Sequence, residues 1–376
     1  MLWFINSPTI LFFIFFLTGN PAWSGSDTFE PIYSVRQNGM GGVYVFNPSD
    51  AGSFLYNPAY TCMTKGVNWT LIDLNAGLNG LQIYQDLQGG SKIDNMSSFS
   101  KWYGKKIWLG AGGNSTMTLP CFGFSVYDAA LTTLLTHNPA FPNVEMTYIN
   151  DMGIKVGGAI PLGPNLSIGL NGKKITRKGG SILVGTSTLT SINSSTLLDQ
   201  FANQGDGYGL DLGVVVRNET LPANPTLSIA WQDVGSTVFI KSAGAQAPER
   251  QRDNLVLGIT GEGEIPLLGF AAGLEYRHIN ETGMQIGKKI HMGLELSLLF
   301  FDFRTGFYQG YTSYGLGLDF WLLHFDAAYY SVERGAYPGQ TPDQRILLGL
   351  NLELGFDPNF KLTDAGGKKR RLKQRR

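Results

Sequence analysis

Over most of its length the chain alternates apolar and polar residues with a period of two. In its last such stretch Ile346, Leu348, Leu350, Leu352, Leu354 and Phe356 share one face of an extended chain, while Arg345, Gly349, Asn351, Glu353 and Gly355 share the other. Leu347 is the one exception. Met152, Ile154, Val156 and Ile160 repeat the pattern against Asp151, Gly153, Lys155 and Gly157. Met292, Leu294, Leu296 and Leu298 repeat it against His291, Gly293, Glu295 and Ser297, and Tyr314, Leu316, Leu318 and Phe320 against Ser313, Gly315, Gly317 and Asp319. A strand of a soluble sandwich also alternates, so one segment decides nothing. The repetition does, because each non-apolar face combines glycine with a charge or amide, as a wet and crowded interior requires. Segments of about ten residues, apolar outside and polar inside, predict an all-β fold, a transmembrane antiparallel β-barrel.

Counting back from Phe356, strands are expected near 344–356, 323–332, 313–321, 303–309, 287–299, 266–277, 252–261, 225–234, 208–216, 165–175, 145–160 and 119–127. A further hairpin, 66–76 with 79–87, brings the count to about 14. Short inner turns at 161–164, 264–266 and 321–323 alternate with outer loops at 176–207, 235–251, 278–286 and 333–343, and a tight outer turn falls at 310–312. The segment 88–118 reads as a long inner connection, with Ile93, Met96, Phe99, Trp102 and Tyr103 spaced for a short amphipathic helix. Trp231, Trp321, Tyr314, Phe320 and Phe356 stand near strand ends, where interface girdles form.

Composition agrees with a dyad rather than with pooled apolar helices. Hydrophobic residues make up 43% and charged residues 15% of the chain, with 49 glycines, and the mean hydropathy is near zero at −0.04. The one long apolar run, Ile10 to Leu17, is about half a spanning helix. Ala22-Trp23-Ser24 follows it, so residues 1–24 read as a secretory signal peptide cut after Ser24. The barrel, 66–356, is then expected in the outer membrane of a Gram-negative-type bacterium, in contact with its lipid. At the far end 357–376 reads as a disordered basic periplasmic tail. Seven of the 29 basic residues lie in 368–376, which leaves 22 against 29 acidic ones in the rest of the chain. A solvated extension is the reading adopted, with no nucleic-acid partner.

Candidate chemistry is sparse. His137, His278, His291 and His324 form no HExxH or i, i+4 pair, no G-x-S-x-G elbow occurs, and no phosphate cradle is present. No catalytic residue, metal site or cofactor is expected, and the protein is not read as an enzyme. Cys62 and Cys121 would pass through an oxidising compartment and fall near the same barrel end. A bridge and two free thiols are both compatible with that placement. Lys155, Asp211, Glu275, Glu295, Arg304, Asp319, Arg345 and Glu353 fall on inward positions. They form either a network of opposite charges that grips whatever fills the lumen or a polar path for a solute.

Residues 25–65 are rich in Gly, Asn and Pro and keep no clean period, so they need a place to be held, and a lumen supplies one. Arg36, Gly39, Met40, Gly41 and Gly42, then Asp50 and the triplet Asn57, Pro58 and Ala59, resemble the amino-terminal hatch of the FadL-type superfamily of outer-membrane barrels. The far end, from Arg304 through Asp326 and Glu333 to PGQTPDQR, is similar to the PorV-like branch of that superfamily. The resemblance implies a barrel plugged by its own amino-terminal segment and two functions to weigh. One is passive transport of a hydrophobic, fatty-acid-like small molecule through a plug-gated lumen. The other is a PorV-like part of a secretion or surface-attachment machine that meets a secreted or envelope protein, or a structural envelope barrel. The outer loops, mainly Ser, Thr, Gly, Ala and Asn, weigh against a lipid-sized groove.

Overall fold

A computed structural model describes residues 30–46, 50–79, 106–137, 143–185, 201–356 and 362–363. Fourteen strands close into one antiparallel barrel: β1 (Val67–Asn79), β2 (Lys106–Leu119), β3 (Phe122–His137), β4 (Asn143–Pro161), β5 (Leu166–Gly185), β6 (Gln204–Arg217), β7 (Thr226–Gln232), β9 (Asn254–Ile265), β10 (Leu268–Tyr276), β11 (Ile290–Leu298), β12 (Phe301–Tyr308), β13 (Tyr311–Phe320), β14 (Leu323–Glu333) and β15 (Pro342–Phe356). β1 pairs β15 from Val67↔Phe356 to Asn79↔Arg345 and so leaves no open edge around the barrel. The short β8 (Phe239–Ala243) lies off this path and pairs the start of β6, and the two-residue β16 (Leu362–Thr363) pairs the foot of β15.

The dyad has the sense its composition implies. Met152, Ile154, Val156, Met292, Leu294, Leu296, Leu316 and Leu348 are exposed on the outside, while Lys155, Asp211, Arg304 and Glu353 are buried inside. So much exposed contiguous apolar surface is stable only in lipid. Leu347, the exception to the alternation of β15, is fully buried on the inside, packed with Trp108 over Gly77.

Of the predicted hairpin the first member is β1, while 80–87 of the second lie outside the described residues. β1 runs to Asn79, residues 80–105 lie outside the described residues, and the next strand is Lys106–Leu119. The expected inner connection 88–118 is therefore strand over 106–118. The expected helical residues Ile93 to Tyr103 fall outside the described residues. The reason for the miss is local. The outward positions of β2 include Ala111, Gly113 and Ser115, too small to register as an apolar face, and β1 carries a bulge after Thr70 that reverses its phase. β5 is also longer than expected, taking in Thr176–Gly185, because its upper part carries Lys174, Thr176 and Lys178 on the outer face and stands above the apolar band. The 20 residues of β5 span about 66 Å and the 8 of β12 about 26 Å, so the β3–β6 wall is much taller than the opposite one.

All connections at one end are short: 120–121, 162–165, 218–225, 266–267, 299–300 and 321–322. Those at the other end include the long ones, with 309–310 a tight exception. The expected signal peptide 1–24 lies outside the described residues, and so does the expected tail 357–376 except for Leu362 and Thr363, which are not disordered as expected because their backbone pairs that of Phe356 and Gly355.

Candidate functional site: the lumen and the segment inside it

Residues 30–46 and 50–65 lie against the inner faces of the strands, with two short helices, α1 (Val35–Gly39) and α2 (Ser53–Tyr56), and a 3-10 helix, Pro58–Met63. Segments this short make few hydrogen bonds of their own, so their backbone groups need partners from the wall. The lumen supplies them. Asn75 donates to the carbonyl of Ile32 at 3.1 Å, Ser313 to Gly39 at 3.1 Å, Asn171 to Phe54 at 3.3 Å, Lys155 to Leu55 at 3.2 Å, Gln232 to Tyr56 at 3.1 Å and Ser167 to Ala59 at 2.7 Å. His291 Nδ1 lies 2.7 Å from the Gly41 carbonyl, Arg277 donates to that of Gly42 at 2.5 Å, and Glu275 accepts from the Tyr44 amide at 2.8 Å.

The inward glycines mark where backbone meets backbone. A Cβ on Gly293 would sit 2.2 Å from the Met40 carbonyl oxygen, one on Gly306 2.3 Å from the Gly41 nitrogen, and one on Gly169 2.4 Å from the Ala59 nitrogen. Gly39 meets Gly315 in the same way, at 3.0 Å. Gly41 and Gly42 also take positive φ, +69° and +89°. The glycine-rich inner face is thus the seat of the amino-terminal segment.

The motif residues act at turns. Asp50 accepts from the Gly52 amide at 2.7 Å and from the Tyr44 hydroxyl at 2.8 Å. Asn57 caps the 3-10 helix by accepting from Ala59 at 2.9 Å and donates to Ile229 of the wall at 3.0 Å. Met40 is fully buried, with Val43, Val45 and Ala271.

Each inward charge named from the sequence has a partner. Lys155 lies 3.4 Å from Asp211, which also receives Lys173 at 2.7 Å. Glu275 accepts from Arg277 at 2.9 Å. Glu295 stands between Arg36, at 2.8 Å, and Arg304, at 2.6 Å, and Arg304 continues to Asp302 and Asp326. Arg345 lies 2.7 Å from Asp343, Glu353 accepts from Asn351 at 2.5 Å, and Asp319, half-buried near the turn end, lies 2.6 Å from His324. Cys62 of the 3-10 helix and Cys121 of the β2–β3 turn are joined through sulfur, with Cα atoms 3.9 Å apart. Among the described residues no group of three or more His, Cys, Asp or Glu is placed to hold a metal ion.

Pattern reading does not find the residues that shape the space above the segment. A cavity of about 200 Å³ lies there, floored by Glu30, Ile32, Tyr33, Tyr44 and Tyr56 and walled by Trp108, Leu131, Tyr308, Tyr330 and Val332. Inward aromatics break the polar alternation, and only Leu347 stood out as such a break. In the floor the rings of Tyr44 and Tyr56 stack at 4.2 Å, and those of Phe46 and Tyr60 at 4.4 Å. At the outer side Glu30 pairs His278 at 2.6 Å. Burial works against the Glu30 charge, but His278, with Arg277 behind it, holds the carboxyl down at about 2.

No protein-family model and no curated protein matches the sequence. Solved structures do match its fold. The CymD monoaromatic hydrocarbon channel aligns at 12% identity and a TM-score of 0.51 over 86% of this chain and 97% of that one. The Ralstonia pickettii toluene transporter TbuX aligns at 12% identity and a TM-score of 0.50 over 87% of this chain and 98% of that one. The chain shares the barrel fold of these two structures.

Proposed function

We propose that the protein is an outer-membrane channel for the passive passage of a small hydrophobic molecule, with residues 25–65 as its plug. The observation that supports this reading is the 200 Å³ cavity with an aromatic wall, Trp108, Tyr308 and Tyr330, lying directly on the amino-terminal segment. A cavity of about 150 Å³ lined by apolar side chains already accepts benzene. The volume therefore suits a ring-sized solute better than an extended long-chain fatty acid. The fold of the hydrocarbon channels is consistent with it.

The test is extraction and mass spectrometry of small molecules from the detergent-solubilised protein, followed by uptake into proteoliposomes. Wild-type protein is expected to admit a monoaromatic solute, and a Trp108→Ala/Tyr330→Ala variant to admit it several-fold more slowly. Equal uptake by protein-free liposomes would remove the proposal.

The one-sided height of the barrel favours a second reading. The tall β3–β6 wall rises beyond the apolar band, and a PorV-like partner in a secretion or attachment machine would find its surface there. Stable co-purification of one envelope protein, lost when the upper ends of β4 and β5, around Asn143 and Gly185, are shortened, would favour it over transport.

A further inference from the structure

The turns that join β11 to β12 and β13 to β14 depart from the chemistry of hairpins in water. Each is two residues long, Leu299-Phe300 and Trp321-Leu322, and with its flanks each makes a run of four apolar residues, 298–301 and 320–323. Leu299 and Trp321 take φ of +57° and +59°, the left-handed region where such a turn in water carries Asn, Asp or Gly. The opposite end of β12 keeps that chemistry, with Gln309-Gly310 at +48° and +97°. Leu299 is nonetheless 73% exposed and Trp321 53%. The two turns are neighbours on the rim. The rings of Phe300 and Phe320 stack at 6.4 Å, and the Asp319 amide donates to the Phe300 carbonyl at 2.9 Å. The Leu322 carbonyl accepts from the Glu353 amide at 3.0 Å.

The patch continues the outward face of the same strands, where Leu298, Phe303, Phe320 and Phe325 are exposed toward lipid. Height explains why the apolar surface extends onto the turns. The outward apolar positions of β11 run from Met292 to Leu298, about 20 Å along the strand. At a tilt of about 40° that is about 15 Å across the membrane, short of the apolar band of about 25 Å that a barrel presents. We propose that the β11–β12 and β13–β14 turns are inserted into the phospholipid of the periplasmic leaflet, with Leu299 and Phe300 among acyl chains and Trp321 at the headgroup boundary. The runs 298–301 and 320–323 hold no polar side chain, so they offer a protein partner nothing to fix its orientation, whereas lipid needs nothing of the kind. The Phe300 and Leu322 carbonyls are already paired with neighbouring strands, as backbone in lipid must be.

The test places the full-length protein in vesicles of phosphatidylethanolamine and phosphatidylglycerol, with an environment-sensitive fluorophore on a cysteine introduced as Leu299→Cys. Thr220→Cys, exposed in the polar connection 218–225, serves as the reference. The label at position 299 is expected to be quenched several-fold more than the reference by nitroxide-bearing phospholipid, and several-fold less by aqueous iodide. Equal access of iodide to both labels overturns the proposal. A second measurement turns on the sign of a stability change in the same vesicles. Asn suits the left-handed backbone of these turns, so Leu299→Asn/Trp321→Asn would raise the unfolding midpoint of a rim standing in water. In lipid the same change removes apolar contact and puts two amides among acyl chains, so the midpoint is expected to fall by several degrees. A rise overturns the insertion. Shielding of position 299 from iodide in native envelopes but not in the lipid vesicles would assign the patch to a protein partner, and overturns it as well.

Discussion

Arg36 donates two hydrogen bonds to Glu295, at 2.8 and 2.9 Å, across 259 positions of sequence. The pair joins α1 to β11 inside the lumen, and Arg304 shares the same carboxylate. Neither charge has adequate water, so each depends on the other. Losing one partner of a buried pair costs about 3–5 kcal/mol. Arg36→Ala leaves Arg304 on Glu295 and should fall at or below the low end of that range. Glu295→Ala leaves Arg304 on Asp302 and Asp326 but strands Arg36 without an acid, and should cost more. Single-channel recording checks the consequence: both variants should show openings rare in the wild type, more often in Glu295→Ala.

The Cys62–Cys121 bond closes a loop with a sequence separation of 59. Loop-closure entropy puts its contribution at about 4 kcal/mol. Cys62→Ser/Cys121→Ser should lower the heat-induced unfolding midpoint on gel mobility, and reductant should lower that of the wild type but not of the variant. An equal response to reductant in both would place the effect elsewhere.

Gly306 tests whether backbone contact seats the segment. An added Cβ would sit 2.3 Å from the backbone nitrogen of Gly41, whereas at Gly163 nothing lies within 4 Å. Gly306→Ala should cost about 1–3 kcal/mol and expose the amino-terminal segment to protease, and Gly163→Ala should do neither. Limited proteolysis followed by mass spectrometry reads both.

The Glu30 carboxyl is held down from its ordinary 4.5 to about 2 by His278 and Arg277 against the cost of burial. A depressed carboxyl contributes its stability in full above the ordinary value, and that contribution fades as pH falls through 4.5 toward 2. Protease protection of the segment should therefore hold from pH 7 to about 5 and decline below it. Glu30→Gln should start lower and show a shallower decline; a wild-type decline with the same slope as the variant would assign the effect to other groups.

The alternation of β15, with Ile346 to Phe356 outward and Arg345 to Glu353 inward, determined the barrel without help from packing, because lipid outside and a polar lumen inside impose opposite demands on neighbouring residues. The glycine on the inner face was equally legible, though its reason was not: only the fold brings Gly293 and Gly306 against Met40 and Gly41. β2 escaped because Ala111, Gly113 and Ser115 hide its outer face, and the upper half of β5 because a strand standing in water on its outer face carries no apolar period. The cavity belongs wholly to tertiary structure. Trp108, Tyr308, Tyr330 and Tyr56 come from β2, β12, β14 and the amino-terminal segment, and a local pattern does not register residues whose meeting depends on closure of the barrel.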